Sequence, residues 1–191
     1  MTDTKASAFS LVTSINGSDY IPIVGTPGGT PSNEVITETN LITDMQSKWP
    51  LPVTQTARAT VTTSWTSNTT LSGVTGLSVN LVAGHHYRIT ADIYTSSSVA
   101  GGLKLGLSGT VTPTAITYEV VTTYSAGISQ NVFSSLGGSH AETNTNIYGH
   151  ISGEIDVSVG GTLNVQAAQG GSSSTATIVQ IGSTLFVDDI S

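Results

Sequence analysis

The chain has 191 residues, carries 5 Lys and Arg against 12 Asp and Glu for a net charge of −7, and is only 9% charged, far below the quarter usual in globular domains. Five scattered basic residues (Lys5, Lys48, Arg58, Arg88, Lys104) cannot neutralise a row of phosphates, no stretch approaches the roughly 18 apolar residues of a membrane span, and the lack of cysteine removes disulfides, thiolate zinc sites and thiol nucleophiles together. Hydroxyl replaces charge: 31 Thr, 26 Ser and 21 Gly describe an all-β chain with turns and hydroxyl-rich faces.

Residues 1–52 read as an irregular N-terminal arm and linker. The start, MTDTKASAFS, lacks the basic and apolar regions of a signal peptide, so synthesis in the cytoplasm is expected. Five of the six prolines, Pro22, Pro27, Pro31, Pro50 and Pro52, fall in this part and deny it a continuous helix or a central strand. TPGGTPSN (26–33) is a loop or turn. In the segment that follows, Leu41, Ile42, Met45 and Trp49 stand at helical spacing, against a Thr-rich background; a short helix is expected near 39–48. Pro50-Leu51-Pro52 ends any regular element.

Residues 53–191 change to period-2 alternation broken by turns. The expected strands are Arg58–Trp65, Leu77–Leu81, Tyr87–Tyr94, Gly102–Leu107, Ala115–Val121, Ile147–Val159, Thr162–Ala167 and Thr177–Val187. Strands at this spacing mean an antiparallel sandwich or barrel, and eight or more of them fit a jelly roll.

Nothing in the sequence forms a catalytic or metal-binding constellation, and no enzyme activity, metal or cofactor is expected. His85 and His86 follow Ala83-Gly84 in what reads as a solvated turn, with side chains on opposite faces of extended chain. His140 lies in the loop GGSHAETN. His150 falls on an expected strand as a half-buried polar residue. Glu154 and Asp156 share one strand face and read as exposed acids, and Asp188 and Asp189 as solvated charges. The Gly-rich strings have no Lys-Ser or Lys-Thr after them and read as turns.

Two segments resemble known proteins. Thr4-Lys5, Phe9, Leu11, Gly17, Asp19, Tyr20-Ile21-Pro22-Ile23-Val24 and Gly28-Gly29 resemble the N-terminal segment of tailed-bacteriophage structural proteins, although AFSLVTS and TPSNEVIT stand where that family has an Ala-Leu-Pro-Ala-Ala stretch and a Thr-Lys-Lys. Residues 75–190 resemble the C-terminal β-domain of phage fibre and head-associated proteins. The carrying residues are Leu77-Ser-Val79-Asn-Leu81, Gly101–Thr110, Thr114–Tyr118, Ile151–Ile155, Gly161–Gln169 and Thr177–Leu185. The resemblance implies a jelly roll of the tumour-necrosis-factor-like kind and a homotrimer. Gln166, Ala167, Ala168, Gln169 and Gln180 are open to two readings, as packing positions around its axis or as ordinary strand residues.

The function implied is that of a structural virion protein, a capsid decoration protein or short head fibre. It would sit on the virion surface, made in the host cytoplasm, with the major capsid protein or another virion protein as partner. The expected anchoring residues are Phe9, Leu11, Ile15, Tyr20, Ile21, Ile23, Val24, Leu41, Met45 and Trp49, an apolar set too large to leave in water and too broken to form a core alone. The alternative is a tail-fibre or receptor-binding tip that holds a host surface glycan, for which Tyr124 and Phe133 are the available loop aromatics.

Overall fold

A computed structural model of the protein describes residues 20–24, 33–37, 54–98 and 100–191, and the chain divides into two compact units, Met1–Leu51 and Pro52–Ser191. In the first unit, β1 (Tyr20–Val24) and β2 (Asn33–Thr37) form an antiparallel pair with Tyr20 opposite Thr37 and Val24 opposite Asn33. The irregular arm expected from the prolines therefore contains a hairpin. Pro22 sits inside β1, opposite Val35. Proline is confined to edge strands, and among the described residues β1 pairs with β2 alone. The helix expected near 39–48 lies outside the described residues.

The second unit holds β3 (Thr54–Arg58), β4 (Thr63–Trp65), β5 (Ser72–Leu81), β6 (His86–Ser96), β7 (Leu103–Gly109), β8 (Thr112–Tyr124), β9 (Gly127–Phe133), β10 (Ser139–Glu142), β11 (Asn146–Val159), β12 (Gly161–Ala168), β13 (Thr177–Val179) and β14 (Thr184–Asp189). Strand and turn account for the described residues, with no helix among them. One sheet runs β3-β14-β6-β11-β8-β9, with β13 also paired to β6 and β4 to β13, and the other runs β10-β7-β12-β5. Every pairing is antiparallel.

Leaving aside β4, β13 and the β8–β9 hairpin, eight strands remain. Numbered along the chain, the first, eighth, third and sixth are neighbours in one sheet, and the second, seventh, fourth and fifth in the other. That is the order of a jelly roll. The protein is an all-β antiparallel sandwich of this kind.

The alternation seen in the sequence makes the core. On β6, Tyr87, Ile89, Ala91 and Ile93 are 2%, 0%, 0% and 0% exposed while His86, Arg88, Thr90 and Asp92 face outward. They meet Leu103, Leu105 and Leu107 of β7, Leu163 and Val165 of β12, and Leu77, Val79 and Leu81 of β5 in one apolar cluster. Burying each such side chain stabilises by about 1.5–3 kcal/mol. The turn into β6 uses Gly84 at φ +84, a left-handed conformation that glycine adopts without strain, and Val82 N–H donates to Tyr87 Oη at 3.0 Å across it.

Several strand boundaries differ from the periodicity. Arg58–Trp65 is two strands: β3 pairs with β14, the chain leaves the sheet at 59–62, and β4 pairs with β13. Ala59 is buried and bonded to the 182–183 turn, while Val61, on the same notional face, is exposed. Thr177–Val187 is likewise β13 and β14, separated by a turn with Gly182 at φ +92 and Ser183 Oγ donating to Gln180 O. Strands β9 and β10 lie between the expected strands Ala115–Val121 and Ile147–Val159, where no strand was expected, and His140 belongs to β10 rather than to a loop.

Candidate functional site

The outer face of the large sheet gathers most of the ionisable side chains of the sandwich. Their meeting follows from register. Strands β6 and β11 run antiparallel with His86 opposite Asp156, Arg88 opposite Glu154 and Asp92 opposite His150, and β14 places Asp188 opposite Arg88. Each of these residues has the parity that points away from the core, so each meets a cross-strand neighbour of complementary charge.

His86 Nδ1 bonds Asp156 and its Nε2 lies 3.3 Å from Glu154 Oε2, while Arg88 Nε is 3.7 Å from Glu154 Oε1. Farther along, Asp92 Oδ1 accepts from Tyr148 Oη and from His150 Nδ1, the latter at 2.9 Å. At the end of the sheet His85 Nδ1 is 2.6 Å from Asp189 Oδ2. Ser191 N–H donates to Asp189 Oδ1 at 3.1 Å, and His86 N–H donates to Ser191 Oγ at 2.8 Å. Between Arg88, Thr90, Thr117, Ser152 and Glu154 lies an open depression of about 380 Å³.

These contacts set the protonation of the face. The Asp156 carboxylate bonded to His86 raises that imidazole above its ordinary 6.5. Burial pushes the Asp92 carboxyl up, but the bonds from Tyr148 and His150 outweigh it and hold it below its usual range. Asp189 is held low in the same way: burial raises it, and Ser191 and His85 more than offset that. Burial, with the Asp92 carboxylate beside it, keeps the Tyr148 phenol protonated well beyond neutrality. The arrangement joins β6, β11 and β14 by paired charges.

His85 and His86 are thus paired with acids rather than free in a solvated turn, and Asp189 is half-buried rather than a solvated charge. His150 is half-buried on β11, as expected. None of these pairings can be read along the chain, because partners stand 58 to 104 residues apart; only the register of β6, β11 and β14 brings them together. His140 Nε2 is buried without a hydrogen-bond partner.

Of the expected anchoring residues, Tyr20, Ile21, Ile23 and Val24 lie on β1, paired with Thr37, Ile36, Glu34 and Asn33. Phe9, Leu11, Ile15, Leu41, Met45 and Trp49 lie outside the described residues. Ala167, Ala168 and Gln169 are each 0% exposed within one chain, so they are core positions and not free to line an axis between copies. Tyr124 and Phe133 are strand residues, not loop aromatics. Phe133 is half-buried against Tyr118, with ring centres 5.4 Å apart.

Among the described residues no three His, Asp or Glu side chains are placed to hold a metal ion, and no helix is long and apolar enough to cross a membrane. No protein-family model and no curated protein matches the chain. Among solved structures, it is similar to a chain of infectious bursal disease virus, Gt strain, at 14% identity and a TM-score of 0.22, over 94% of this chain and 49% of that one. It is similar also to the VP2 subviral particle of the same virus, at 17% identity and a TM-score of 0.22, over 94% and 48%. The chain spans about half the length of these viral chains. The fold assignment rests on the strand order itself.

Proposed function

We propose that the protein is a structural component of a tailed-bacteriophage virion, a capsid decoration protein or short head fibre. In this reading residues 1–52 seat on the major capsid protein or another virion protein, and the sandwich projects from the virion surface as a homotrimer. The observation that carries it is the division of the chain: a self-contained jelly roll over residues 54–191, preceded by a separate unit built on the β1–β2 hairpin. The resemblance of both segments to phage structural proteins supports the same assignment, as does an exterior rich in Thr and Ser with few charges. The role is one of attachment and coverage, with no catalytic step.

The arm's chemistry fits anchoring. Burying about six of its apolar side chains on a partner is worth roughly 9–18 kcal/mol before ordering, and ordering some 25 residues offsets much of that. Deletion tests the proposal: residues 53–191 alone should fold and trimerise but fail to bind particles that lack the native protein. Equal decoration by the truncated and full-length chains would overturn the anchoring role.

A further inference from the structure

We propose that strand β9 is a self-docking edge, by which two copies of the chain pair β9 against β9, antiparallel about a two-fold axis at Gln130, and join their large sheets into one. This goes beyond the virion assignment and does not depend on it.

Strand β9 ends the order of the large sheet. Its ladder with β8 runs unbroken from Tyr118 opposite Phe133 to Tyr124 opposite Gly127, with no bulge. An edge strand exposes a row of unpaired N–H and C=O groups, and natural edges are guarded by charge, proline, shortness, a bulge or a covering segment. The other sheet edges of the sandwich carry such guards. Strand β3 ends in Arg58, and β10 is four residues long and ends in Glu142. Strand β5 is covered: Gln55 Nε2 donates to Asn80 O at 2.7 Å, Thr75 N–H donates to Thr63 Oγ1 at 3.3 Å, and Arg58 O lies 2.7 Å from where a Cβ on Gly76 would stand. Strand β9, GISQNVF, has no charge and no proline, and Ile128 and Val132 are 65% and 58% exposed.

The backbone fixes which groups face out. Gly153 of β11 approaches Tyr118 so closely that an added Cβ would fall 2.6 Å from Tyr118 Cα, the mark of a narrow pair that exchanges no backbone bonds. Tyr118 therefore turns its N–H and C=O toward β9. By alternation Phe133, Asn131 and Ser129 face β8, while Val132, Gln130 and Ile128 face outward. The Val132 amide accordingly finds only the Oδ1 of adjacent Asn131, at 3.0 Å, an acceptor that swings away freely.

A second copy fits this edge because the pattern is a palindrome: apolar Ile128 and Val132 flank Gln130 at equal spacing. Antiparallel pairing centred on Gln130 sets Ile128 against the partner subunit's Val132, and Gln130 against the partner subunit's Gln130, with about six interchain backbone bonds. The one acid nearby, Glu119, lies opposite Val132 on β8. Two strands then separate it from its symmetry copy, so no like charges meet. So small a contact associates weakly by itself and gains from copies held close together.

The absence of cysteine from the chain makes the test clean. In full-length protein, Gln130→Cys on the axis would hold its Cα within disulfide reach of its copy. Oxidation should cross-link it roughly tenfold or more faster than Val159→Cys, an equally open position at 57% exposure. Gln130→Pro removes an outward amide without touching the β8 ladder, and Ile128→Lys adds charge at the contact. Either should lower the weight-average solution mass below that of the wild type at about 100 μM, whatever assembly it builds on. If the wild type and both variants have equal mass and cross-linking at 130 is no faster than at 159, the pairing does not exist. Retention of particle binding by the same variants keeps that result separate from the anchoring proposal.

Discussion

At the scale of single residues, Gln169 shows how much one buried polar side chain can organise. It is 0% exposed, yet its Nε2 donates to Ser173 O and Thr175 O at 3.1 and 2.8 Å, and its Oε1 accepts from Asn68 N and Ser173 N at 3.1 and 3.2 Å. Each buried group left without a partner costs about 1–3 kcal/mol. Gln169→Ala should therefore lower the unfolding free energy by about 3 kcal/mol or more in urea titration, and Gln169→Glu, which loses both donors, by at least as much. The histidine pairs predict a pH profile. His86 is raised in the folded state, so its contribution is complete below about 6.5 and is lost as pH rises through its folded value. Asp92 and Asp189 are lowered, so theirs is present above the ordinary carboxylate range and is lost as pH falls through their folded values. The thermal midpoint should peak between about pH 4 and 6.5. His86→Gln should flatten the decline on the alkaline side of that peak and leave the acid side unchanged.

At the scale of elements, the packing of β11 over β7 turns on Gly149. A Cβ there would lie 2.2 Å from Leu105 Cδ1 and 3.4 Å from Leu103 Cδ2, both leucines being fully buried. Gly149→Ala should cost about 1–3 kcal/mol by overpacking. Leu105→Ala alone should cost about 2–5 kcal/mol, and combining the two should recover part of the loss, a coupling a double-mutant cycle measures directly. Strands β6 and β11 were legible because a half-buried strand between two neighbours writes strict alternation into its sequence, as Tyr87, Ile89, Ala91 and Ile93 do. Strand β9 was not, since an edge strand needs little apolar surface and Ile128, Val132 and Phe133 do not alternate strictly. The 59–62 and 180–183 breaks were hidden for another reason: Ala59, Val61, Thr63 and Trp65 keep the alternation through a corner where the chain changes partners. The histidine–carboxylate face was illegible for want of register, which local pattern does not contain.

At the scale of the whole molecule, the jelly roll seats its last strand between its first and its third. Strand β14 pairs β3 on one flank and β6 on the other, buries Leu185 and Val187 completely, and ties Thr54 Oγ1 to Asp188 Oδ1 at 2.6 Å. Losing two core side chains and both ladders is comparable to the whole 5–15 kcal/mol stability typical of a domain. A chain truncated after Ser183 should show no cooperative thermal transition, while removal of Ser191 alone should leave one. The number of strands suggested a jelly roll; the strand order appears only in the pairing of the sheets, because Greek-key connections join segments too distant for periodicity to register.

That seat has a consequence for synthesis. The ribosome delivers β3 and β6 well before β14, so until β14 emerges the growing chain holds an open gap between the edge strand β3 and the rest of its large sheet. Among the described residues no other strand pairs with both β3 and β6. A nascent chain cut short by a premature stop presents two bare strand edges, which chaperones and proteases recognise, and only a chain that has delivered residues 184–189 can close. Closure of the large sheet thus waits on the synthesis of residues 184–189, far along the chain from the two strands they join.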